Sequence, residues 1–224
     1  MSQQTNPRSN SALARRSFTA GMFAIAIIGP ALIGPALADS APSAATLIRP
    51  GDPILGNPNG DVTIIEFYDI RCPFCRAMYP HMKKLLATDK KLRFVPVDYP
   101  VLGPASLLGT QALFAAQIQH KYAPLRARLL TEPAPPTMAS IQVDAKSLGL
   151  DWEKMEFDMS GDVVAAHVEA NLARGRALKL QGVPATYINS IFAPGGLDYA
   201  DLVDIVATAR KRESDVTNGN KSSS

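Results

Sequence analysis

The chain contains two cysteines, Cys72 and Cys75, separated by Pro73 and Phe74. The pair directly follows an apolar run and opens a helical pattern. At a helix N-terminus, free N–H groups and the helix dipole favour the thiolate, the reactive form of cysteine, at Cys72. Pro73 suits the first helical turn, because the N–H that proline lacks would have no partner there. Cys75 would lie one turn further on, where it can resolve a mixed disulfide made by Cys72. The spacing therefore favours thiol–disulfide exchange.

Three other interpretations of the pair stay open. A structural disulfide would close only two intervening residues and remove little loop entropy. A zinc site needs four ligands, whereas the chain has no further cysteine and its histidines lack ligand spacing (His81, His120 and His167). The third interpretation is a pair of inert buried thiols. The strand-to-helix context favours redox chemistry over all three, and neither a metal nor a cofactor is predicted.

One acid, Glu66, interrupts the apolar run six residues before Cys72. Burial would raise the pKa of its carboxyl group. From behind the cysteines, the group could take or return a proton as Cys75 attacks or leaves. The alternative is a partly exposed residue on an edge strand. The offset from the cysteines favours the functional role, and Glu66 is predicted to be catalytic.

A second segment, Gly182-Val183-Pro184, begins a late strand. An X–Pro bond can adopt the cis form, which is uncommon in folded proteins and usually has a structural reason. On the residues alone, the trans form is the default for Pro184.

The elements that position these residues predict an α/β fold. Apolar and β-branched runs predict strands, and longer periodic stretches predict helices. The predicted elements are an edge strand within 51–56, strands at 62–68 and 92–99, helices at 73–87, 105–179 and 198–212, and a hairpin at 185–193. Pro80 should kink the first helix, and Pro96 favours an irregular or edge position in its strand. The helices at 105–179 are most simply an insertion between strands of one sheet.

The first 38 residues have the layout of a signal peptide. A polar stretch with three arginines and no acid precedes an apolar run at 21–36, and Ala36-Leu37-Ala38 gives a small-x-small cleavage site. The run is short for a bilayer-spanning helix, although a retained membrane anchor is the alternative. Arg15-Arg16 also resembles a twin-arginine export signal, with the general secretory route as the other possibility.

Without the predicted signal peptide, the chain carries no net charge. The full chain has 23 basic and 20 acidic residues, and three of the basic ones are arginines within the first 38, which leaves 20 of each. This balance gives no reason to expect a nucleic-acid partner. We expect a flexible leader at 39–51 and a disordered polar tail at 213–224, because both are small and polar in composition.

The runs TIIEFYDIRCPFC, QGVPATYIN and FAPGGLDYADLVDIV together resemble the DsbA-like family of thioredoxin-fold disulfide oxidoreductases. The resemblance covers about residues 52–210. It implies a thioredoxin-like domain at 52–212 with an inserted helical subdomain at about 105–179.

The resemblance also implies roles for individual residues. Cys72 would be the nucleophile and Cys75 the resolving cysteine of a redox-active disulfide, with Glu66 buried beneath them. Pro184 would be cis and would face the disulfide, and Val183 would offer backbone hydrogen bonds to an extended substrate.

Phe74 is the third predicted substrate-binding residue, with Val183 and Pro184. It stands where the strongest oxidases of the family carry a histidine. A neutral aromatic ring lacks the charge with which that histidine stabilises the thiolate.

The predicted function is that of an exported, periplasmic dithiol oxidase acting as a monomer. Its partners would be unfolded exported proteins with free cysteines and a membrane-bound, quinone-linked reoxidase. A disulfide isomerase or reductase, served by a reductase instead, is the alternative. A peptide-binding chaperone with an idle disulfide is a third hypothesis.

Overall fold

The computed structural model describes residues 41–221, with side chains described as far as Val216. The signal peptide predicted at 1–38 lies outside these residues. The strands are β1 (Leu55–Gly56), β2 (Val62–Tyr68), β3 (Leu92–Asp98), β4 (Ala185–Ile188) and β5 (Ile191–Pro194). The helices are α1 (Ala44–Leu47), α2 (Pro73–Thr88), α3 (Pro104–Ile118), α4 (Tyr122–Thr131), α5 (Met138–Ser147), α6 (Trp152–Met159), α7 (Asp162–Ala177) and α8 (Tyr199–Lys221).

The five strands form one mixed sheet in the order β1-β3-β2-β4-β5. The central strand β2 pairs in parallel with β3 and antiparallel with β4. All seven residues of β2 are buried, which explains why its sequence is almost continuously apolar. The predicted strand at 62–68 and the α/β fold class are confirmed.

Helices cover both faces of the sheet. Alternate residues of β2 point to opposite faces: Ile64 packs with residues of α2 and α8, and Phe67 packs against the side that carries α1 and α7. Because α2 begins right after β2, its first turn lies at the carboxyl end of the central strand.

Helices α3 to α7 lie between β3 and β4 in the chain, and residues of α3 to α6 share one core. That core also contains Ile70, Cys72 and Cys75. The cysteine pair therefore lies where the sheet domain meets the helical insertion.

Pro80 and Pro96 are both accommodated within regular elements. Helix α2 continues through Pro80 without a break, so this proline does not interrupt it. Strand β1 pairs only with Arg93 and Phe94 of β3, which leaves β3 as the outer strand at Pro96. The predicted edge position is confirmed for that part of the strand. On the outer side of β3 at Pro96, no strand of the described residues is present to accept a hydrogen bond, so the N–H that proline lacks is not needed there.

The leader differs from the flexible segment expected at 39–51. Residue Ala44 is fully buried, and its N–H donates to the carbonyl of Asn189 at 2.8 Å. Leu47 and Ile48 pack with it against the α7 side of the sheet. The apolar residues of this short segment cover part of one face of the sheet. The composition of the segment alone does not show that such a surface is available to them.

The C-terminal helix also differs from expectation. Helix α8 continues to Lys221, past the expected start of a disordered tail at Glu213. The stretch between Tyr199 and Val216 contains neither glycine nor proline. Lys211 pairs with Asp215 one turn later at 2.9 Å, a spacing that supports a helix. Within residues 41–221, no helix is long and apolar enough to cross a bilayer.

Candidate active site

The two cysteines lie at the start of α2. Cys72 is the N-cap residue, in extended conformation, and Pro73 takes the first helical position. The Cys72 N–H donates to the carbonyl of Asp69 at 3.0 Å. Both thiols are free, and Cys72 is 4% exposed against 1% for Cys75. Cys72 is thus the outer thiol and Cys75 the inner one.

The Cys72 thiol lies against the segment that contains Pro184. Its Sγ donates to the carbonyl oxygen of Val183 at 3.3 Å, across 111 residues of chain. The Val183–Pro184 peptide bond is cis, so the trans default does not hold. The fold therefore brings together three of the predicted site residues: Cys72, Val183 and Pro184.

A shallow groove of about 410 Å³ runs beside this contact. Phe74, the residue between the cysteines, lines it and is 67% exposed. The opposite wall is formed by the segment before β4 and by the edge strand β5. The residues lining the groove are Phe74, Leu178, Lys179, Gln181, Gly182, Val183, Pro184, Ala185, Phe192, Pro194 and Gly195. The walls are mostly apolar, and an exposed aromatic ring stands next to the reactive pair.

Asp69 fixes the loop that leads into the cysteines. This buried carboxylate accepts hydrogen bonds from the N–H of Arg71 at 2.8 Å and from the hydroxyl of Ser106 at 2.7 Å. Its other oxygen accepts from the N–H groups of Val101 and Leu102 at 2.9 and 3.0 Å. Sequence reasoning missed Asp69, although an acid directly after a buried strand and three residues before Cys72 was a usable signal.

Glu66 lies beneath the cysteines and is 1% exposed, so the partly exposed alternative does not hold. Its Oε2 accepts a hydrogen bond from Nη2 of Arg126 at 3.0 Å. Its Oε1 has no hydrogen-bond partner among the described residues. Burial raises the pKa of the Glu66 carboxyl, and the Arg126 charge and hydrogen bond oppose that rise. Glu66 thus combines a free oxygen with a pKa above the ordinary value.

Cys75 is in an environment that disfavours its thiolate. Burial raises the pKa of the Cys75 thiol far above its usual value, and the negative charge of Glu66 raises it further. A backbone hydrogen bond from Asp69 opposes the rise. Because the inner thiol holds its proton, it needs a nearby base before it can attack a disulfide.

Arg126 comes from α4 of the insertion and sits among aromatic rings. Its guanidinium carbon lies 4.3 Å from the ring centroid of Tyr68 and 5.4 Å from those of Tyr79 and Phe94. Arg126 is 3% exposed. No sequence signal distinguished this arginine from others in the helical block, because its partner is 60 residues away in the chain.

A second acid, Asp98, lies next to this arginine. Its two oxygens accept hydrogen bonds from the hydroxyls of Tyr68 at 2.5 Å and Tyr122 at 2.9 Å. Burial raises the pKa of Asp98 to about 6, against the opposing effects of both hydroxyls and of Arg126. The site therefore holds two buried carboxyl groups and one guanidinium within one cluster.

Among residues 41–221, no three His, Cys, Asp or Glu side chains come close enough together to hold a metal ion. The arrangement is that of a dithiol with an outer thiol, an inner thiol and a buried acid.

Known proteins that are similar to this chain include thiol–disulfide oxidoreductases, in agreement with the cysteine pair described above. Residues 49–207 match the family model described as Thioredoxin. A thioredoxin-like oxidoreductase from Silicibacter pomeroyi is 33% identical, with a TM-score of 0.70, and the match covers 74% of this chain and 95% of that one. The thiol-disulfide exchange protein alpha-DsbA2 from Wolbachia pipientis is 25% identical, with a TM-score of 0.66, over 70% of this chain and 86% of that one.

Among curated proteins, Probable disulfide bond formation protein D of Bacillus cereus is 26% identical over 161 residues, which covers 64% of this chain and 73% of the relative. The expected thioredoxin-like fold is confirmed by the family model and by the similar structures. The chain belongs to the thioredoxin family, in its DsbA-like group, and is a thiol–disulfide oxidoreductase.

Proposed function

We propose that this protein is an exported dithiol oxidase that introduces disulfides into other exported proteins through Cys72 and Cys75. The observation that carries the proposal is the contact between the Cys72 thiol and the Val183 carbonyl, at 3.3 Å and beside an open groove. It supports the proposal because the outer thiol contacts a residue that lines the groove proposed for the peptide. The inner thiol lies behind it with a buried acid.

The proposed reaction is an exchange of one disulfide for another. In the oxidised protein, a substrate thiolate attacks Sγ of Cys72, the Cys72–Cys75 bond breaks, and Cys75 leaves with the electron pair. Glu66 in its protonated form gives Cys75 a proton. A second substrate thiolate then attacks the substrate sulfur, which forms the substrate disulfide and releases Cys72 as thiolate. The protein ends reduced by two electrons, and the substrate is oxidised by two.

Substrate binding is proposed in the groove beside Phe74. An extended peptide could pair with the backbone at Val183, in the manner of strand addition. The apolar wall of Phe74, Phe192 and Pro194 would take its side chains without any sequence-specific polar contact. Such binding suits an enzyme that acts on many unfolded chains.

We place the protein in the periplasm, exported by the signal peptide predicted at 1–38. In that compartment its disulfide would persist, and a membrane-bound, quinone-linked reoxidase would restore it. Residues 41–52 pack on the domain, so little free chain would separate the cleavage site from the fold. That arrangement supports a monomer over an assembly built on a long stalk.

The direct test is oxidation of a reduced two-cysteine peptide by the oxidised protein, compared with refolding of a scrambled disulfide protein. The oxidase proposal predicts rapid peptide oxidation and slow unscrambling. Cys72→Ser should abolish both reactions. If the wild-type protein catalyses neither reaction, and Cys72→Ser binds unfolded peptides as well as the wild type does, the protein binds peptides without redox chemistry. If unscrambling is the faster reaction, the protein is an isomerase.

The reduction potential of the Cys72–Cys75 couple tests the direction of electron flow. A value towards the ~−120 mV of strong oxidants supports the oxidase, and a value near the ~−270 mV of thioredoxin contradicts it. Phe74 gives a matched variant, because it is exposed and can be replaced without disturbing the core. Phe74→His should make the couple more oxidising, since an imidazolium beside Cys72 stabilises the thiolate of the reduced form.

A further inference from the structure

We propose that Arg126, contributed by the helical insertion, is a positioning residue that favours the ionised form of Glu66 and so sets the pH at which Glu66 accepts the Cys75 proton. The inference rests on the proposed acid–base role of Glu66. It assigns to the insertion a direct part in the redox step, through an arginine that touches neither sulfur nor substrate.

The first support is the pattern of hydrogen bonds at Glu66. One carboxylate oxygen accepts from Nη2 of Arg126 at 3.0 Å, and the other has no partner among the described residues. Arg126 therefore orients the carboxylate through one oxygen and leaves the second available. Both side chains are almost fully buried, at 4% and 1% exposure, so solvent screens their attraction little.

The second support is how the guanidinium is held. It lies over the ring of Tyr68 and within 5.4 Å of the ring centroids of Tyr79 and Phe94. Among the described residues, the Arg126 side chain donates its hydrogen bond to Glu66, whereas the nearby Asp98 accepts from two tyrosine hydroxyls. The rings fix the position of the charge, and the hydrogen bond directs it to Glu66 rather than to Asp98.

The third support is the attachment of α4 to the cysteine helix. Arg76 of α2 donates to the carbonyls of Leu129 at 3.0 Å and Glu132 at 2.6 Å, at the end of α4. Arg126 and Arg76 thus link α4 to the redox centre from opposite directions. These two bonds hold α4, which carries Arg126, against the helix that directly follows the strand of Glu66.

Several ionisable groups surround Glu66, and their charges decide the sign of the effect. Two carboxyl groups share one guanidinium, so the cluster cannot be electrically neutral with both acids ionised. The ionisable groups of this cluster are Cys72 before α2, Cys75 and Tyr79 of α2, Tyr68 of β2, Asp98 of β3, and Tyr122 and Arg126 of α4. Arg126 supplies the positive charge in this set, and removing it must raise the pKa of Glu66.

The step that reports this effect is resolution of a mixed disulfide. The Cys75 thiol gives its proton to the Glu66 carboxylate, its sulfur attacks Sγ of Cys72, and the Cys72–substrate bond breaks. The electron pair of that bond leaves with the substrate thiolate. The rate should rise with pH as Glu66 ionises, so this ascending limb marks the pKa of Glu66.

The experiment uses the reduced protein and an excess of 5,5′-dithiobis(2-nitrobenzoate). Attack by Cys72 releases the first coloured thiolate, and resolution by Cys75 releases the second. The rate of the second release is measured by stopped flow between pH 5 and 9. Arg126→Met and Arg126→Gln should move the ascending limb up by about one pH unit or more. Arg126→Lys should leave it near the wild-type position.

The controls distinguish the acid–base role proposed for Glu66 from the positioning role proposed for Arg126. Glu66→Gln should remove the limb, and adding Arg126→Met to it should cause no further shift. If Glu66→Gln leaves the profile unchanged, the acid–base role of Glu66 fails. If Glu66→Gln removes the limb but Arg126→Met only lowers the rate equally at every pH, Arg126 is merely structural and the further inference is overturned.

Because a neutral side chain at Arg126 could impair folding, circular dichroism is recorded for each variant. Arg126→Lys keeps the positive charge at this position. The infrared band of the Glu66 carboxyl group is titrated in this variant and in the wild type, and the spectrum of Glu66→Gln is subtracted to isolate the band. The proposal requires the band to titrate at the pH of the ascending limb in both proteins. Titration at a different pH in either protein contradicts it.

Discussion

Two buried ion pairs join the helical insertion to the sheet domain, and they are bonded in different ways. Arg174 of α7 binds Asp52 through two hydrogen bonds, at 2.7 and 3.0 Å. Arg126 of α4 binds Glu66 through one, at 3.0 Å. Both pairs are nearly inaccessible to solvent.

The pair at Asp52 is almost completely satisfied. Arg174 also donates to the carbonyl of Leu47 and to Oδ1 of Asn171, and the N–H of Arg49 donates to Asp52. The pair at Glu66 leaves one carboxylate oxygen without a partner among the described residues, and the Glu66 charge acts on the Cys75 thiol. The first pair holds elements together, and the unpaired oxygen of the second supports the proposal that Glu66 exchanges a proton.

The largest expected effect is on stability, at the satisfied pair. Arg174→Met should lower the free energy of unfolding by about 3–5 kcal/mol, because it leaves the buried Asp52 without a cation. The pH profile of thiol exchange should not move. Chemical denaturation and the stopped-flow assay measure the two quantities, and a shifted profile would erase the distinction between the pairs.

Asp98 should make stability depend on pH. Its pKa of about 6 in the folded protein exceeds the usual 3.8, so the folded state binds this proton more tightly than the unfolded state. Stability is therefore expected to fall, by about 3 kcal/mol, as pH rises from about 3.8 to 6. Asp98→Asn should flatten this part of the profile, and urea denaturation at several pH values tests it. Equal slopes in both proteins would contradict the expectation.

A smaller effect is expected at the unsatisfied pair. Arg126→Met should lower the free energy of unfolding by about 1.5–3 kcal/mol at pH 8, the range for one hydrogen bond to a charged group, because Arg126 makes one such bond whereas Arg174 makes four hydrogen bonds. Without Arg126 the folded-state pKa of Glu66 is higher still, and the carboxyl group can become neutral as pH falls. The loss at pH 5 should therefore be smaller than at pH 8. A loss of the same size at both values would mean that Glu66 does not titrate.

The smallest effect is expected at an exposed pair on the same helix as Arg174. Arg176 pairs with Glu169, and both side chains are more than half exposed. Arg176→Met should change the free energy of unfolding by less than about 1 kcal/mol. It is the matched control for Arg174→Met, because it removes the same charge from the same helix. If Arg176→Met lowers the free energy of unfolding as much as Arg174→Met does, the effect comes from losing a positive charge on the helix and not from breaking a buried ion pair.

Local patterns were enough to predict much of the framework. The strand at 62–68, the helix that begins at Pro73 and the hairpin at 185–193 follow from runs, caps and turn residues that act within a few positions. The short leader and the end of α8 were not predicted. The segment around Ala44 is too short to show a helical or apolar periodicity, so its sequence does not indicate which face of the sheet it will cover.

The sequence by itself determined the reactive unit: two thiols at a strand-to-helix junction, an acid six residues upstream and a proline that starts a late strand. These depend on spacing, and spacing is a property of the chain. Only the tertiary structure decided which groups surround that unit. Arg126 reaches Glu66 across 60 residues, and Val183 reaches Cys72 across 111. Such contacts depend on how helices pack on the sheet, so the protonation of the buried acid is a property of the fold rather than of the motif.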